Sequence, residues 1–147
     1  MNMTKICTDV RQSKNLVING IDINSADMYW METSIDYYTC GVLNRLERKM
    51  LERSDYYKMT PAWTSDALMR IMPPVKYEDK EYQPIGYYRH GKAFVNYENI
   101  KDVRPLMSSD AEYLVDAAYG MMTILFEQGY IKNEDYERKS RKYLEEI

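Results

Sequence analysis

The sequence predicts an α+β fold in which a small antiparallel β-meander packs on a central buried helix at about 110–128, with additional short helices around them. Three observations carry this expectation. Residues Asp110–Gln128 are apolar or aromatic on nearly every side, so the helix they form must be enclosed on nearly every side. Residues Val75–Glu98 alternate short strand-like runs with turn residues. Shorter segments with their own capping residues lie at the N-terminus, in the middle and at the C-terminus.

The elements follow in order. Residues 1–8 are expected to fray. Asp9 reads as the N-cap of a helix reaching Asn19, with Val10, Leu16 and Val17 as its anchors and Asn19-Gly20 as its stop. Ile21–Asp27 is a polar connection. Met28–Glu32 and Ile35–Cys40 have strand-like aromatic content, and Gly41 closes the second. Val42–Arg53 reads as a helix, because Leu43, Leu46 and Met50 recur at helical spacing beside Val42 and Leu51. Thr60-Pro61-Ala62-Trp63 is read as a break. Thr64 then caps a short helix, Ser65–Met72, which Pro73-Pro74 ends.

In the meander, Glu78-Asp79-Lys80 forms a polar turn and His90-Gly91 a hairpin turn. A two-residue loop at His90-Gly91 sets Tyr87 opposite Phe94, a favourable pair, and Arg89 opposite Lys92, an unfavourable one. A longer loop remains an alternative. Ser108 or Ser109 is expected to cap the central helix, which ends at Gly129. Asp116, Gly120, Thr123 and Glu127 form its one narrow polar stripe. Asn133 caps a charged C-terminal helix, Glu134–Glu146, whose thin seam of Tyr136, Tyr143, Leu144 and Ile147 lies along the body or faces a partner.

Composition narrows the chemistry. The chain has 147 residues, enough for one domain with its own core, and 1–147 is read as a single domain. A formal charge of −3 gives no global attraction to nucleic acid or to an anionic membrane. No apolar run reaches the roughly 18 residues of a membrane span, and the N-terminus lacks the apolar core of a signal peptide. Cys7 and Cys40 belong to no CxxC pair. The expected compartment is therefore the cytoplasm, with both thiols reduced.

His90 is the only histidine, and a hairpin tip is a poor place for triad or metal chemistry. The six glycines are widely spaced and form no phosphate-binding loop. No serine lies in a nucleophile elbow. No catalytic, cofactor-binding or metal-binding residue is assigned, and the chain is read as not an enzyme.

The skew lies in 15 tyrosines and 11 methionines, which either finish a small core or make a contact surface. The contact reading selects Tyr29, Trp30, Tyr37, Tyr38, Tyr56, Tyr57 and Trp63 for a protein partner. A second reading takes Arg45, Arg48, Lys49 and Arg53 with the hairpin-tip residues Arg89 and Lys92 for nucleic acid, with Tyr56 and Tyr57 available for stacking. Glu47, Glu52 and Asp55 interrupt that basic cluster. A third reading, an enzyme of unrecognised type, requires a concave pocket holding convergent acids.

Four stretches occur in a recognisable order. They are Gly20-Ile21-Asp22 with Ser25–Trp30, Pro61-Ala62-Trp63-Thr64 closing at Met72-Pro73, the tyrosine-rich meander, and Val115–Met121 running on to Glu127–Ile131. Together they resemble uncharacterised small proteins encoded by prophages and other mobile elements of gut Bacteroides-type bacteria. The resemblance spans about residues 10–131 and brings no activity with it. It implies a small accessory protein that binds a host or phage component.

Overall fold

A computed structural model of the chain describes residues 5–34, 37–52 and 59–131. The expected helix Glu134–Glu146 lies outside the described residues. The fold is α+β, and its described residues group into two compact units. One holds residues 7–34, 37–52 and 59–67; the other holds 5–6 and 68–131.

In the first unit, α1 (Val10–Ile18) begins as the sequence predicts. The Asp9 carboxylate accepts from the Gln12 amide, and the Gln12 side chain returns to the Asp9 amide, closing a capping box. The helix buries Leu16 and Val17 and stops at Asn19, where Gly20 takes a φ of 94°. A 3-10 turn at Ile23–Ser25 follows, capped by Asp22. Strand β1 (Met28–Ser34) then pairs antiparallel with β2 (Tyr37–Val42). Helix α2 (Arg45–Glu52) starts later than its apolar pattern suggests, because the Asn44 side chain caps the amides of Leu46 and Glu47. Its buried anchors include Leu43 and Leu51, whereas Leu46 is exposed.

The expected break at Thr60–Trp63 is largely a strand, β3 (Met59–Ala62), which pairs with β1 to give the order β2-β1-β3. Pro61 argued against a strand, yet β3 lies at the sheet edge, where a residue without an N–H is tolerated. Residues 7 and 8 do not fray. Cys7 bridges to Thr64, and Thr8 is completely buried. Thr8 donates its amide to the Trp63 carbonyl, accepts from the Trp63 amide at Oγ1, shares a hydrogen bond with the Ser13 hydroxyl, and accepts from Trp30 Nε1 at its carbonyl. One residue thus ties α1, β1 and the end of β3 together. Both cysteines are free thiols.

Helix α3 (Ser65–Arg70) carries the chain from one unit to the other. Thr64 caps it as expected, accepting from the Ala67 amide, and Asp27 in turn holds the Thr64 amide and hydroxyl.

The second unit contains β4 (Val75–Tyr77), β5 (Lys80–Arg89), β6 (Lys92–Glu98) and β7 (Met107–Ala111), antiparallel in that order, with α4 (Leu114–Glu127) packed against β5, β6 and β7. Two-residue turns with positive φ at both positions join β4 to β5, through Glu78-Asp79, and β5 to β6, through His90-Gly91. The tight hairpin sets Tyr87 against Phe94 with ring centroids 5.4 Å apart. It also sets Arg89 against Lys92, and Asp110 on β7 draws off the Lys92 charge at 2.5 Å.

Ser108 and Ser109 do not cap the central helix. They lie in β7, and α4 starts only at Leu114, after Tyr113, which makes no side-chain cap. β6 reaches its cross-strand partner only if this stretch is extended, and the ladder overrides the local capping signal. The C-terminal end is as expected. Gly129 adopts a φ of 78°, and the amides of Gly129 and Tyr130 return to the carbonyls of Phe126 and Leu125.

Val115, Ala117, Ala118, Met121, Met122 and Leu125 of α4 are buried, and no residue from Leu114 to Phe126 is exposed. The polar stripe is also engaged. Asp116 pairs with Lys5 at 2.6 Å, Thr123 donates to the Tyr119 carbonyl, and Gly120 leaves room for Ser109. A Cβ at Gly120 would lie 2.4 Å from Ser109 Oγ, so α4 and β7 approach closely there.

Leu125→Ala is expected to cost about 2–5 kcal/mol of unfolding free energy, and Gly120→Val about 1–3 kcal/mol through overpacking. Urea denaturation of the full chain measures both. Losses below about 0.5 kcal/mol would show that α4 is not enclosed.

Candidate functional site

The most unusual surface of the second unit is the loop Asn99–Leu106, between β6 and β7. In most loops, aliphatic side chains turn inward and polar ones face water. Here the arrangement is reversed. Asn99 donates from its side chain to the Glu81 carbonyl at 2.7 Å and accepts from the Lys101 amide at 2.8 Å. The Asp102 amide donates to the Asn99 carbonyl, and the Leu106 amide to the Tyr97 carbonyl. The Asp102 carboxylate accepts from Lys80 Nζ at 2.8 Å and from the Tyr82 hydroxyl. With its polar groups occupied in this way, the loop presents Ile100 and Val103, which are 99% and 102% exposed. Lys101 and Arg104 are exposed beside them, and Pro105 holds Arg104 in extended backbone.

The electrostatics reinforce the clip. The Lys80 hydrogen bond, followed by that from Tyr82, holds the Asp102 carboxyl below the ordinary carboxylate range. The hydrogen bond to Asp102 is in turn the main cause that raises the Lys80 ammonium and the Tyr82 phenol. Because the Asp102 value is lowered on folding, its contribution is complete above about pH 4 and is lost as pH falls through the lowered value. Lys80 and Tyr82 are raised, so their contribution is complete below about pH 10 and fades as pH climbs through the raised values.

At the foot of the loop lies a pocket of about 320 Å³, lined by Tyr77, Leu106, Met107, Ile124, Gln128 and Tyr130. No charged side chain lines it. The groups with shifted pKa values around Asp102 do not line it either. The buried Tyr97, whose phenol is pushed up by burial, donates to the Pro73 carbonyl at 2.8 Å and is a structural tie. Among the described residues, no cluster of three or more His, Cys, Asp or Glu could hold a metal ion. No helix among them is long and apolar enough to cross a membrane.

The aromatic residues singled out from sequence turn out differently. Trp63 is completely buried, with Nε1 donating to Ser25 Oγ at 2.9 Å, so it is core and not a contact surface. Trp30 is partly buried against Cys7, Met28 and Ala62, with its indole N–H bound to the Thr8 carbonyl. Tyr29 is partly buried and lies over Gly41, its cross-strand partner. The side chains of Tyr37 and Tyr38, and residues Tyr56 and Tyr57 altogether, lie outside the described residues.

The basic residues also divide. Arg48 donates to the carbonyls of Asn24 and Ala26, both at 2.9 Å, and braces the connection before β1. Lys92 is paired with Asp110. Lys49 and Arg89 are exposed. The Arg45 side chain and residue Arg53 lie outside the described residues. Arg89 and Lys92 belong to the sheet face opposite α4, which also carries Glu81 and Glu98, so its charge is mixed.

Sequence reasoning passed over Ile100 and Val103 because no period marks them. The available signal was their position, two β-branched aliphatics in a short stretch with the turn formers Asn99, Asp102 and Pro105. No family model, curated protein or solved structure matches the chain.

Asp102→Asn is expected to speed amide exchange across residues 100–104 at neutral pH. The native loop is expected to loosen only below about pH 4 or above about pH 10, and the acid-side change is expected to vanish in the variant. Equal exchange in both proteins at neutral pH would show that the loop does not depend on the clip.

Proposed function

We propose that this protein is a non-enzymatic binding module that acts by docking the loop Asn99–Leu106 onto another protein, in the phage or mobile-element setting that its sequence resemblance implies. One observation carries the reading: two aliphatic side chains stand fully in water on a loop whose polar residues hold it from beneath. Single exposed aliphatics are ordinary, but a fixed pair bordered by Lys101 and Arg104 has the composition of an interface anchor. Burying each side chain is worth about 1.5–3 kcal/mol. The clip has already ordered the backbone, which would otherwise cost about 1–2 kcal/mol per residue on binding.

The nucleic-acid reading is weaker, because Arg48 and Lys92 have partners within the protein. It predicts binding that falls steeply with salt. A fluorescence-anisotropy titration of the full chain against single-stranded and duplex oligonucleotides at low salt tests it, and a flat titration rejects it.

The protein-binding reading is tested with Ile100→Ser/Val103→Ser. Both side chains are exposed, so thermal unfolding is expected to stay within about 2 °C of the native protein. Captured from host extract on immobilised protein and then purified, a partner is expected to bind the variant at least about tenfold more weakly, as measured by calorimetry. A partner that binds both proteins equally would remove the loop from the interface.

A further inference from the structure

We infer that the protein occupying this loop is a second copy of the chain, in a weak two-fold pair in which each copy seats its aliphatic loop residues in the other's pocket. The inference rests on the binding reading above and names its partner.

The loop and the pocket complement each other in chemistry. The loop offers two hydrocarbon side chains, Ile100 and Val103. The pocket of about 320 Å³ has Leu106, Met107 and Ile124 in its wall and no charged side chain, so hydrocarbon can enter without desolvating a charge. The flanking charges also match. Lys101 and Arg104 adjoin the aliphatic pair, while exposed Glu78 and Glu127 adjoin the lining residues Tyr77 and Gln128. The pocket stands at the C-terminal end of α4, the negative end of the helix dipole, which favours an incoming cation.

Their placement suits a two-fold pair. Leu106 is both the last residue of the loop and part of the pocket wall, so projection and recess sit side by side on one surface. A two-fold operation on such a surface lays each loop over the opposite pocket and closes the assembly at two copies. An anionic lipid surface fits less well. The chain carries a net charge of −3, and Glu78 is near enough to act on Lys80 and Tyr82, which hold the loop. A pair of loops covers far less than the roughly 1,600 Å² of a standard interface. Association is therefore weak and appears only at high protein concentration.

Sedimentation velocity of the full chain, from about 10 µM to about 1 mM, tests this. The native protein is expected to show a sedimentation coefficient that rises with concentration, while Ile100→Ser/Val103→Ser remains monomeric throughout. Lys101→Glu/Arg104→Glu and Glu78→Lys/Glu127→Lys are each expected to be monomeric alone and to associate when mixed. A native protein that stays monomeric, a serine variant that still associates, or a charge-swapped mixture that stays monomeric would each overturn the inference. So would loop-dependent flotation with phosphatidylserine vesicles. If the native protein is monomeric and a purified partner still depends on Ile100 and Val103, the second copy is excluded and the binding loop stands. If that partner binds the serine variant normally, both readings fail.

Discussion

Helix α4 is apolar around most of its circumference, and leaving that surface in water would cost more than a small domain can offset. The four-stranded sheet supplies much of the cover. Ala93, Val95 and Tyr97 of β6 are buried, and Ser109 of β7 comes up against Gly120. Strand β7 exists where a helix cap might have formed because an extended Met107–Ala111 completes that cover. The burial of α4 thus decides which sheet face turns inward, and by alternation which side chains face out.

The same constraint creates the binding loop. β6 and β7 lie side by side in the sheet, so the chain must reverse between Glu98 and Met107. The reversal leaves backbone polar groups off the ladder, and Asn99 and Asp102 satisfy part of that demand. Asp102 also collects Lys80 and Tyr82 from β5. The residues between them are then directed away from the body, so the exposure of Ile100 and Val103 is a geometric consequence of where the polar residues of the loop are needed.

The first unit shows the opposite use of aromatic residues. Its two tryptophans each place an indole N–H on an internal acceptor, Ser25 Oγ for Trp63 and the Thr8 carbonyl for Trp30. A buried indole that kept its N–H unpaired would incur a desolvation penalty, and these bonds remove it. The aromatic richness near β1 and β3 therefore serves cohesion in these residues, and the more open contact chemistry lies in the aliphatic loop of the second unit.

The sequence by itself determined the elements whose signals are local. The Asp9 capping box, the Thr64 cap, the Gly129 stop, the His90-Gly91 turn and the enclosure of α4 are all written in neighbouring residues, because caps, tight turns and helical periodicity act over a few positions. Only the tertiary structure decided that Thr60–Ala62 is an edge strand despite Pro61, that Ser108 and Ser109 belong to a strand, that Trp63 is core, and that Asp102 reaches Lys80 and Tyr82. Each of these depends on a partner distant along the chain. Pairing, burial and side-chain clips arise from which segments meet in space, and the residues of one segment do not encode that meeting alone.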